Sequence, residues 1–367
     1  KDAMQGIFER HYYTNQGPLT QKLEQRLQTY LGVKHAVCVT NGMIGLMMAA
    51  EALELSGKVI LPSFAFLASA QSLKWSGIEP VFCDVDPETH QIAIEQLDAL
   101  VDADVSAIMG VNLWGGTCDL EALDSFASER GLKLYFDSAH AFGCEANKKK
   151  IANCGQLEVF SFHETNVLSA TEGGCVCTND DSVAAKLRNI RSSYGSGLPV
   201  SVVKTSNGRM SEAQAAIALM SLDDLPKNQQ KNEILFKIYR EQLSKVSGIK
   251  LIEPTHVSFS NYQYVVCEVD EVEFGLSRDD LISVLKAENI IAMRYFYPGV
   301  HNTIGFKENF SESGRALPVT ERLSQTCIQL PVGALVDEHS VSIICDIISN
   351  THIYAATLKD YILEHNL

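Results

Sequence analysis

The sequence is short of basic residues, of long apolar runs and of paired cysteine motifs. Its 367 residues include 30 lysines and arginines against 45 aspartates and glutamates, a formal net charge of −15 at pH 7. A surface for duplex nucleic acid or an anionic membrane normally needs a basic stripe, so we expect neither partner. No apolar run reaches membrane-spanning length, and the first residues show no signal-peptide pattern. We therefore expect a cytoplasmic protein that acts on small molecules.

Ten cysteines are scattered along the chain without C-x-x-C pairs. Cys175 and Cys177 are two residues apart in an apolar run. This spacing places both side chains on one face of a strand rather than in a redox loop. We expect buried thiols in a reduced compartment, and the sequence implies no metal site.

Short apolar, β-branched segments alternate with helical patterns through most of the chain. This alternation predicts an α/β fold with a mainly parallel sheet covered by helices. From about Leu225 the pattern changes to a long polar helix, Lys227–Val246, and then to a βαβ-like region. We place the domain boundary near Lys245, between a large domain (1–245) and a small one (246–367). Strands are predicted at Ala36–Val39, Val59–Leu61, Val81–Asp84, Ala107–Val111, Leu134–Asp137, Val159–Phe162 and Cys175–Thr178.

Two predicted strand ends carry residues suited to bind a small ligand. After one strand, Asn41 and Gly42 lead directly into a helix, and such a turn offers free amide groups and a helix dipole to a phosphate. Another strand ends at Asp137. A carboxylate there can keep the nitrogen of a pyridinium ring protonated, although an isolated aspartate at a strand end more often caps a turn.

Several segments share the order and content of one family's motifs. They are S-F-H-E-T-N and T-E-G-G within residues 161–174, D-S-A-H-A-F-G from Asp137, P-S-F-A-F ending at Phe66, and S-N-G-R-M-S-E-A-Q around Asn207. They resemble the DegT/DnrJ/EryC1/StrS sugar aminotransferases. The resemblance implies the fold-type-I, aspartate-aminotransferase-like architecture and pyridoxal phosphate as cofactor. It also implies a symmetric homodimer with active sites at the interface.

The resemblance assigns roles at the cofactor. Asp137 would pair with the ring nitrogen, with His140 beside the ring and Phe66 stacked on it. Met43 replaces a threonine that binds the cofactor phosphate, a loss of about 1 kcal/mol. The implied cofactor residues are Gly42, Met43, Phe66, Asp137, His140, Ser161 and Asn207, the last reaching across the dimer.

Asn166 occupies the position of the family's Schiff-base lysine, because the family pattern reads S-F-H-x-T-K. A carboxamide has no amine to condense with an aldehyde and does not titrate near neutral pH. The cofactor, pyridoxal or pyridoxamine phosphate, would therefore be held non-covalently. His163 or His140 would have to carry the proton.

Three interpretations stay open. The chain is an aminotransferase with an engineered asparagine that traps a substrate adduct, a natural lysine-less relative that uses pyridoxamine phosphate as the family's keto-sugar dehydratases do, or a non-catalytic member. The last would bind a nucleotide-sugar or pair with an active paralogue. We expect a nucleotide-linked keto-sugar, an amino donor such as glutamate, and a place in amino-sugar or surface-polysaccharide (lipopolysaccharide) biosynthesis.

Candidates for substrate contact combine arginine forks, which suit phosphate oxygens, with tyrosine and histidine side chains. Lys204 could substitute for the missing Schiff-base lysine, although an ordinary solvated lysine is the favoured interpretation. The substrate candidates are Arg191, Tyr194, Arg209, Tyr295 and His301.

Overall fold

The strands are short, and most of their residues are buried. A computed structural model describes residues 2–192, 200–312 and 314–365. All seven predicted strands are confirmed, each with ends within two residues of the prediction. The strands are β1 His35–Val39, β2 Lys58–Pro62, β3 Glu79–Cys83, β4 Val105–Val111, β5 Lys133–Asp137, β6 Glu145–Ala146, β7 Lys149–Lys150, β8 Leu157–Ser161, β9 Gly174–Thr178, β10 Ile249–Leu251, β11 Val265–Val269 and β12 Cys327–Leu330.

Helices fill the connections between the strands. Several begin at a side chain whose oxygen accepts the first amide groups, such as Asp119 and Asp180. The helices are α1 Asp2–Arg10, α2 Pro18–Leu31, α3 Gly42–Ala52, α4 Leu67–Trp75, α5 Leu120–Glu129, α6 Asp181–Arg191, α7 Glu212–Leu243, α8 Glu271–Phe274, α9 Arg278–Ala287, α10 Lys307–Glu312, α11 Pro318–Thr326, α12 Glu338–Ile353 and α13 Ala355–His365.

The central sheet has seven strands in the order β1-β9-β8-β5-β4-β2-β3. β9 is antiparallel to both neighbours, and the other six strands run parallel to one another. Alternate residues face opposite sides. Val37 and Val39 of β1 pack with residues of α3, α4 and α6, whereas Ala36 and Cys38 pack with residues of α2 and α7. The predicted mainly parallel sheet, covered by helices on both faces, is confirmed.

The cysteines are free, and all but Cys154 are buried. Cys175 and Cys177 lie on the same face of β9, with their sulfur atoms 3.7 Å apart. The prediction of buried thiols is confirmed.

A second sheet forms after α7. Its three strands have the order β10-β11-β12, and both neighbouring pairs are antiparallel. The predicted βαβ-like arrangement is therefore wrong in strand direction. Helices do connect β11 to β12, but the connection from 270 to 326 is long enough for the chain to return in either direction. The domain boundary near residue 245 lies between α7 and β10 and stays a prediction.

The long helix α7 begins fifteen residues earlier than the predicted Lys227–Val246. Ser211 starts it with a capping box, in which its hydroxyl accepts from Gln214 N and the Gln214 side chain accepts from Ser211 N. Pro226 lies inside the helix and made the sequence pattern look broken there. Buried Leu222 and Leu225 pack into the core beside it and hold the helix through the proline.

Among the described residues, no single helix is both long and apolar enough to cross a membrane. A pair formed by α12 and the residues 355–362 passes by length and composition, but it is bent by 82°. The α12 residues Val341, Ile344 and Ile348 are buried in the core around the second sheet.

Candidate active site

Polar residues from several strand ends meet at the carboxyl edge of the central sheet. Gly42 begins α3 directly after β1, and a Cβ atom placed on it would lie 2.9 Å from the Cβ atom of Ser161 at the end of β8. Ser69 of α4 donates from Oγ to Oδ2 of Asp137, at the end of β5, over 2.7 Å. The first contact joins residues 119 positions apart in sequence, and the second joins residues 68 positions apart.

The start of α3 is the turn for which phosphate binding is predicted, called here the phosphate cup (Asn41, Gly42 and Met43). Asn41 caps the helix, since its Oδ1 accepts from Ile44 N at 2.9 Å. The first amide groups of a helix have no partner within the helix, so those of Gly42 and Met43 can bind a phosphate. Only glycine fits at position 42 because of the contact with Ser161. Met43 offers no side-chain donor and can contribute only through its backbone.

Asp137 is a buried carboxylate without a cationic partner among the described residues. Its Oδ2 accepts from Ser69 Oγ, and its Oδ1 accepts from Ala139 N at 3.2 Å. Burial raises the pKa of the carboxyl above its usual value, because these two hydrogen bonds do not replace the lost hydration. A protonated pyridine nitrogen would supply the missing positive charge. The residue therefore fits the predicted role.

His140 is held as a neutral imidazole in an aromatic enclosure. Its ring centroid lies 4.2 Å from that of Tyr264 and 5.3 Å from that of Trp114. Burial lowers the pKa of the imidazole to about 3. Its Nδ1 is enclosed and has no hydrogen-bond partner among the described residues. A base with so low a pKa accepts protons poorly at neutral pH.

Phe66 presents an exposed ring at the same edge of the sheet. It precedes α4 in the segment that follows β2, and 60% of its surface is exposed. Large aromatic side chains are normally buried. An uncovered ring at a ligand-binding edge fits stacking on a flat heterocycle.

Asn166 is 9% exposed, and both ends of its amide are hydrogen-bonded. Its Nδ2 donates to the carbonyl oxygen of Ser161 at 2.7 Å, and its Oδ1 accepts from Gln263 Nε2 at 2.9 Å. Both the donor and the acceptor of this buried amide therefore have hydrogen-bond partners within the protein. It offers neither a nucleophile nor a titratable proton.

His163 is the accessible histidine of this region. The neighbouring Thr165 donates from its amide to His163 Nδ1, and the Thr165 hydroxyl lies 3.0 Å from the same nitrogen. The neutral ring therefore carries its proton on Nε2, which lies 3.8 Å from an oxygen of Glu172. Because 43% of the His163 side chain is exposed, this proton can exchange with a ligand or with solvent.

Asn207 lies in a segment that runs beside β1 of its own chain. Gly208 O accepts from Thr40 N at 2.9 Å, next to the phosphate cup. Asn207 is exposed, and its Oδ1 accepts from Nε of Arg209 at 3.0 Å. Arg209 also donates to Oδ1 of Asn15. Arg209 therefore orients the Asn207 side chain, and its role as a substrate contact stays a prediction.

Tyr295 belongs to the aromatic cluster around His140. Its ring centroid lies 5.9 Å from that of Trp114 and 6.0 Å from that of Tyr264. Burial raises the pKa of its hydroxyl, so the phenol is neutral. The structure brings this predicted substrate residue into the cluster that contains His140.

Two predicted substrate contacts have structural roles instead. Arg191 is 3% exposed and pairs with buried Glu24 at 2.6 Å, while also donating to Cys38 O at 2.9 Å. His301 is fully buried, and its Nδ1 lies 2.7 Å from Ser63 Oγ. Neither group is available to a diphosphate or a sugar. The sequence could not separate these residues from exposed ones because both occur in polar segments.

The last substrate candidate, Tyr194, lies outside the described residues. Lys204 is 65% exposed in its side chain and lies 3.2 Å from Glu51. This agrees with the interpretation of Lys204 as an ordinary surface lysine.

Sequence patterns did not indicate three residues of this region: Gln263, Tyr264 and Trp114. Gln263 and Tyr264 precede β11 of the second sheet, and Trp114 follows β4. Trp114 has a φ of 59°, and it donates from Nε1 to His90 Nδ1 at 3.2 Å. A bulky residue in the left-handed region needs strong support from its surroundings. Only the folded chain brings these residues to His140 and Asn166.

The fold and this edge of the sheet define a class of protein, the fold-type-I pyridoxal-phosphate-dependent aminotransferases. The chain belongs to the DegT/DnrJ/EryC1/StrS aminotransferase family, which matches residues 1–349. Pyridoxal phosphate is the cofactor that this family uses.

Similar proteins with known activities are sugar transaminases. The chain is 36% identical over 293 residues to the dTDP-4-amino-4,6-dideoxy-D-glucose transaminase of Shigella dysenteriae, covering 80% of this chain and 79% of the relative. It is 29% identical over 344 residues to the GDP-perosamine synthase of Vibrio cholerae, covering 92% of each. The crystal structure of DesI in the presence of its TDP-sugar product is similar with a TM-score of 0.92 and 36% identity, covering 100% of this chain and 92% of DesI.

The structural role of Arg191 can be tested by unfolding. Arg191→Leu leaves the buried Glu24 carboxylate without its cationic partner, with only Cys38 N and Gln16 Nε2, among the described residues, still donating to it. We therefore expect the free energy of unfolding to fall by about 3–5 kcal/mol. Arg188→Leu, on the same helix α6 but partly exposed, should change it by less than about 1 kcal/mol. Urea denaturation measures both. Equal effects of the two variants would contradict a buried ion pair.

Proposed function

We propose that the chain binds pyridoxamine or pyridoxal phosphate without a covalent bond and acts with it on a nucleotide-linked keto-sugar. The observation that carries the proposal is the buried Asn166 amide at the family's lysine position. The buried Asp137 carboxylate, which has no positive partner within the part of the chain that the structure describes, supports it. The sugar-nucleotide names of the two curated relatives support the substrate class. Amino-sugar or surface-polysaccharide biosynthesis in the cytoplasm is the setting we propose.

Pyridoxamine phosphate supplies an amino group and an electron-accepting ring. Five residues of this chain would surround it. The amides of Gly42 and Met43 at the start of α3 would bind the phosphate, and Ser161 would lie next to them. Asp137 would pair with the ring nitrogen, and Phe66 would stack on the ring. Without a covalent anchor, these contacts must retain the cofactor by themselves.

His163 is the proton carrier that we propose for the reaction. His140 was the other candidate, but its pKa of about 3 leaves it neutral and a poor base. The Nε2 proton of His163 is accessible and lies on the side of Glu172, whose nearest carboxylate oxygen is 3.8 Å from Nε2. Full transamination would also need regeneration of the amino group from a donor such as glutamate. Asn166 contributes nothing to that half-reaction, so uptake of preformed pyridoxamine phosphate is the simpler route.

A homodimer is part of the proposal. Large apolar side chains are exposed on α1 and α7, including Phe8 at 59% and Met220 at 58%. Exposed apolar groups of this size favour burial between subunits. Asn207, held by Arg209, would reach the phosphate cup of the partner subunit, so each complete site would need two chains.

Pyridoxamine phosphate binding tests the proposed site. Asp137→Asn removes the charge that holds the ring nitrogen protonated, so we expect the affinity to fall about ten- to a hundredfold in isothermal titration calorimetry. Asp84→Asn is the matched control. Asp84 is also buried and follows β3 of the same sheet, but its carboxylate accepts from Val319 and Thr320. Equal affinities of the two variants, or no binding by the unmodified chain, would refute the proposed cofactor site.

Assembly distinguishes an enzyme from an accessory subunit. We expect sedimentation to show a homodimer at micromolar concentration. Asn207→Ala should weaken pyridoxamine phosphate binding about fivefold, the effect of one hydrogen bond, and leave the dimer intact. Asn15→Gly removes a different acceptor of Arg209 without straining a backbone at φ 63°, and should preserve binding. A chain that dimerises only with an active family member would be an accessory subunit instead.

A further inference from the structure

A directed series of hydrogen bonds crosses the region of Asn166. Val167 N donates to Gln263 Oε1 at 2.8 Å, Gln263 Nε2 donates to Asn166 Oδ1 at 2.9 Å, and Asn166 Nδ2 donates to Ser161 O at 2.7 Å. The series begins at a backbone amide and ends at a backbone carbonyl. Because these two end groups can only donate and only accept, the orientation of both side-chain amides between them is determined.

This series closes the loop that carries His163. Its two ends, Ser161 and Val167, flank the loop, and a further bond within the loop runs from Asn166 N to His163 O at 3.0 Å. Asn166 and Gln263 are 9% and 5% exposed. Water therefore competes poorly for these bonds, and neighbouring bonds in such a series strengthen one another.

Gln263 is itself fixed to the segment of His140. The backbone nitrogen of Gln263 donates to Oδ1 of Asn261 at 3.0 Å. Asn261 Nδ2 in turn donates to the backbone carbonyl oxygens of His140 and Phe142, both at 3.1 Å. The loop of His163 is thus connected through Gln263 and Asn261 to the buried segment that carries His140 and Phe142.

We propose that Gln263 is a positioning residue that holds His163 in place through Asn166. In this proposal Asn166 connects Gln263 to the loop of His163. A lysine there would present only donors, so the donor of Gln263 would lose its acceptor. This inference rests on the proposed function, in which His163 carries the proton, but the hydrogen bonds themselves are a property of the free protein.

The test uses the full chain without ligand. Nuclear magnetic resonance follows the ring signal of His163, assigned by its loss in His163→Gln, and the hydrogen exchange of the Val167 amide. Gln263→Leu should shift and broaden the His163 signal and speed exchange at Val167 about tenfold, since that amide loses its acceptor. The ring signal of buried His301, remote in sequence and bonded to Ser63, serves as the internal control and should not move.

Exchanging the side-chain lengths of Asn166 and Gln263 distinguishes a positioning role of Gln263 from a general loss of stability. Asn166→Gln and Gln263→Asn each change the combined length of the two side chains by one methylene, and each should disturb the His163 signal. The double variant restores the combined length, so it should recover at least part of the signal and of the Val167 protection. An unchanged His163 signal in Gln263→Leu, or a double variant no better than the single ones, would overturn the proposal. Failure of pyridoxamine phosphate to bind would refute the proposed function but leave this result standing.

Discussion

The two hydrogen bonds of the Asn166 amide are the constraint on which the rest of the site depends. A buried amide is tolerated only when its donor and acceptor are both satisfied, and Ser161 O and Gln263 Nε2 satisfy them here. This arrangement leaves no group at position 166 to anchor a cofactor or to move a proton. In the proposed function, retention of the cofactor would therefore depend on the start of α3, the charge of Asp137 and the face of Phe66, and proton transfer would depend on another residue.

Burial shifts the pKa values of two groups in the proposed cofactor site, Asp137 and His140, in opposite directions. It raises the pKa of Asp137 and lowers that of His140, because the low dielectric penalises a negative and a positive charge alike. A ligand with a protonated ring nitrogen would give Asp137 a counter-charge and require none from His140. His163, which is half exposed, remains able to exchange a proton. These two environments support the roles proposed for Asp137 as the partner of the ring nitrogen and for His163 as the proton carrier.

Local sequence patterns predicted the strands of the central sheet and the site residues that lie in family motifs. Buried strands appear in the sequence as short apolar segments, so the ends of all seven predicted strands agree with the structure to within two residues. Family motifs indicated Gly42, Asp137, Ser161 and Asn166. Contacts between distant segments were missed. The antiparallel return of β12 and the burial of Arg191 against Glu24 depend on how the chain folds back, which no local pattern records. The partnership of Gln263 with Asn166, 97 residues apart, is of the same kind.

Borohydride reduction followed by mass spectrometry shows whether this protein holds its cofactor without a covalent bond. The protein is mixed with pyridoxal phosphate, its absorption spectrum is recorded, and the mixture is reduced and digested. The account predicts a spectrum of bound but unlinked cofactor and no stoichiometric adduct on any single lysine, because Asn166 has no amine to condense. A stoichiometric adduct on one lysine, with Lys204 the first to inspect, would show that the covalent anchor has moved and would contradict the account.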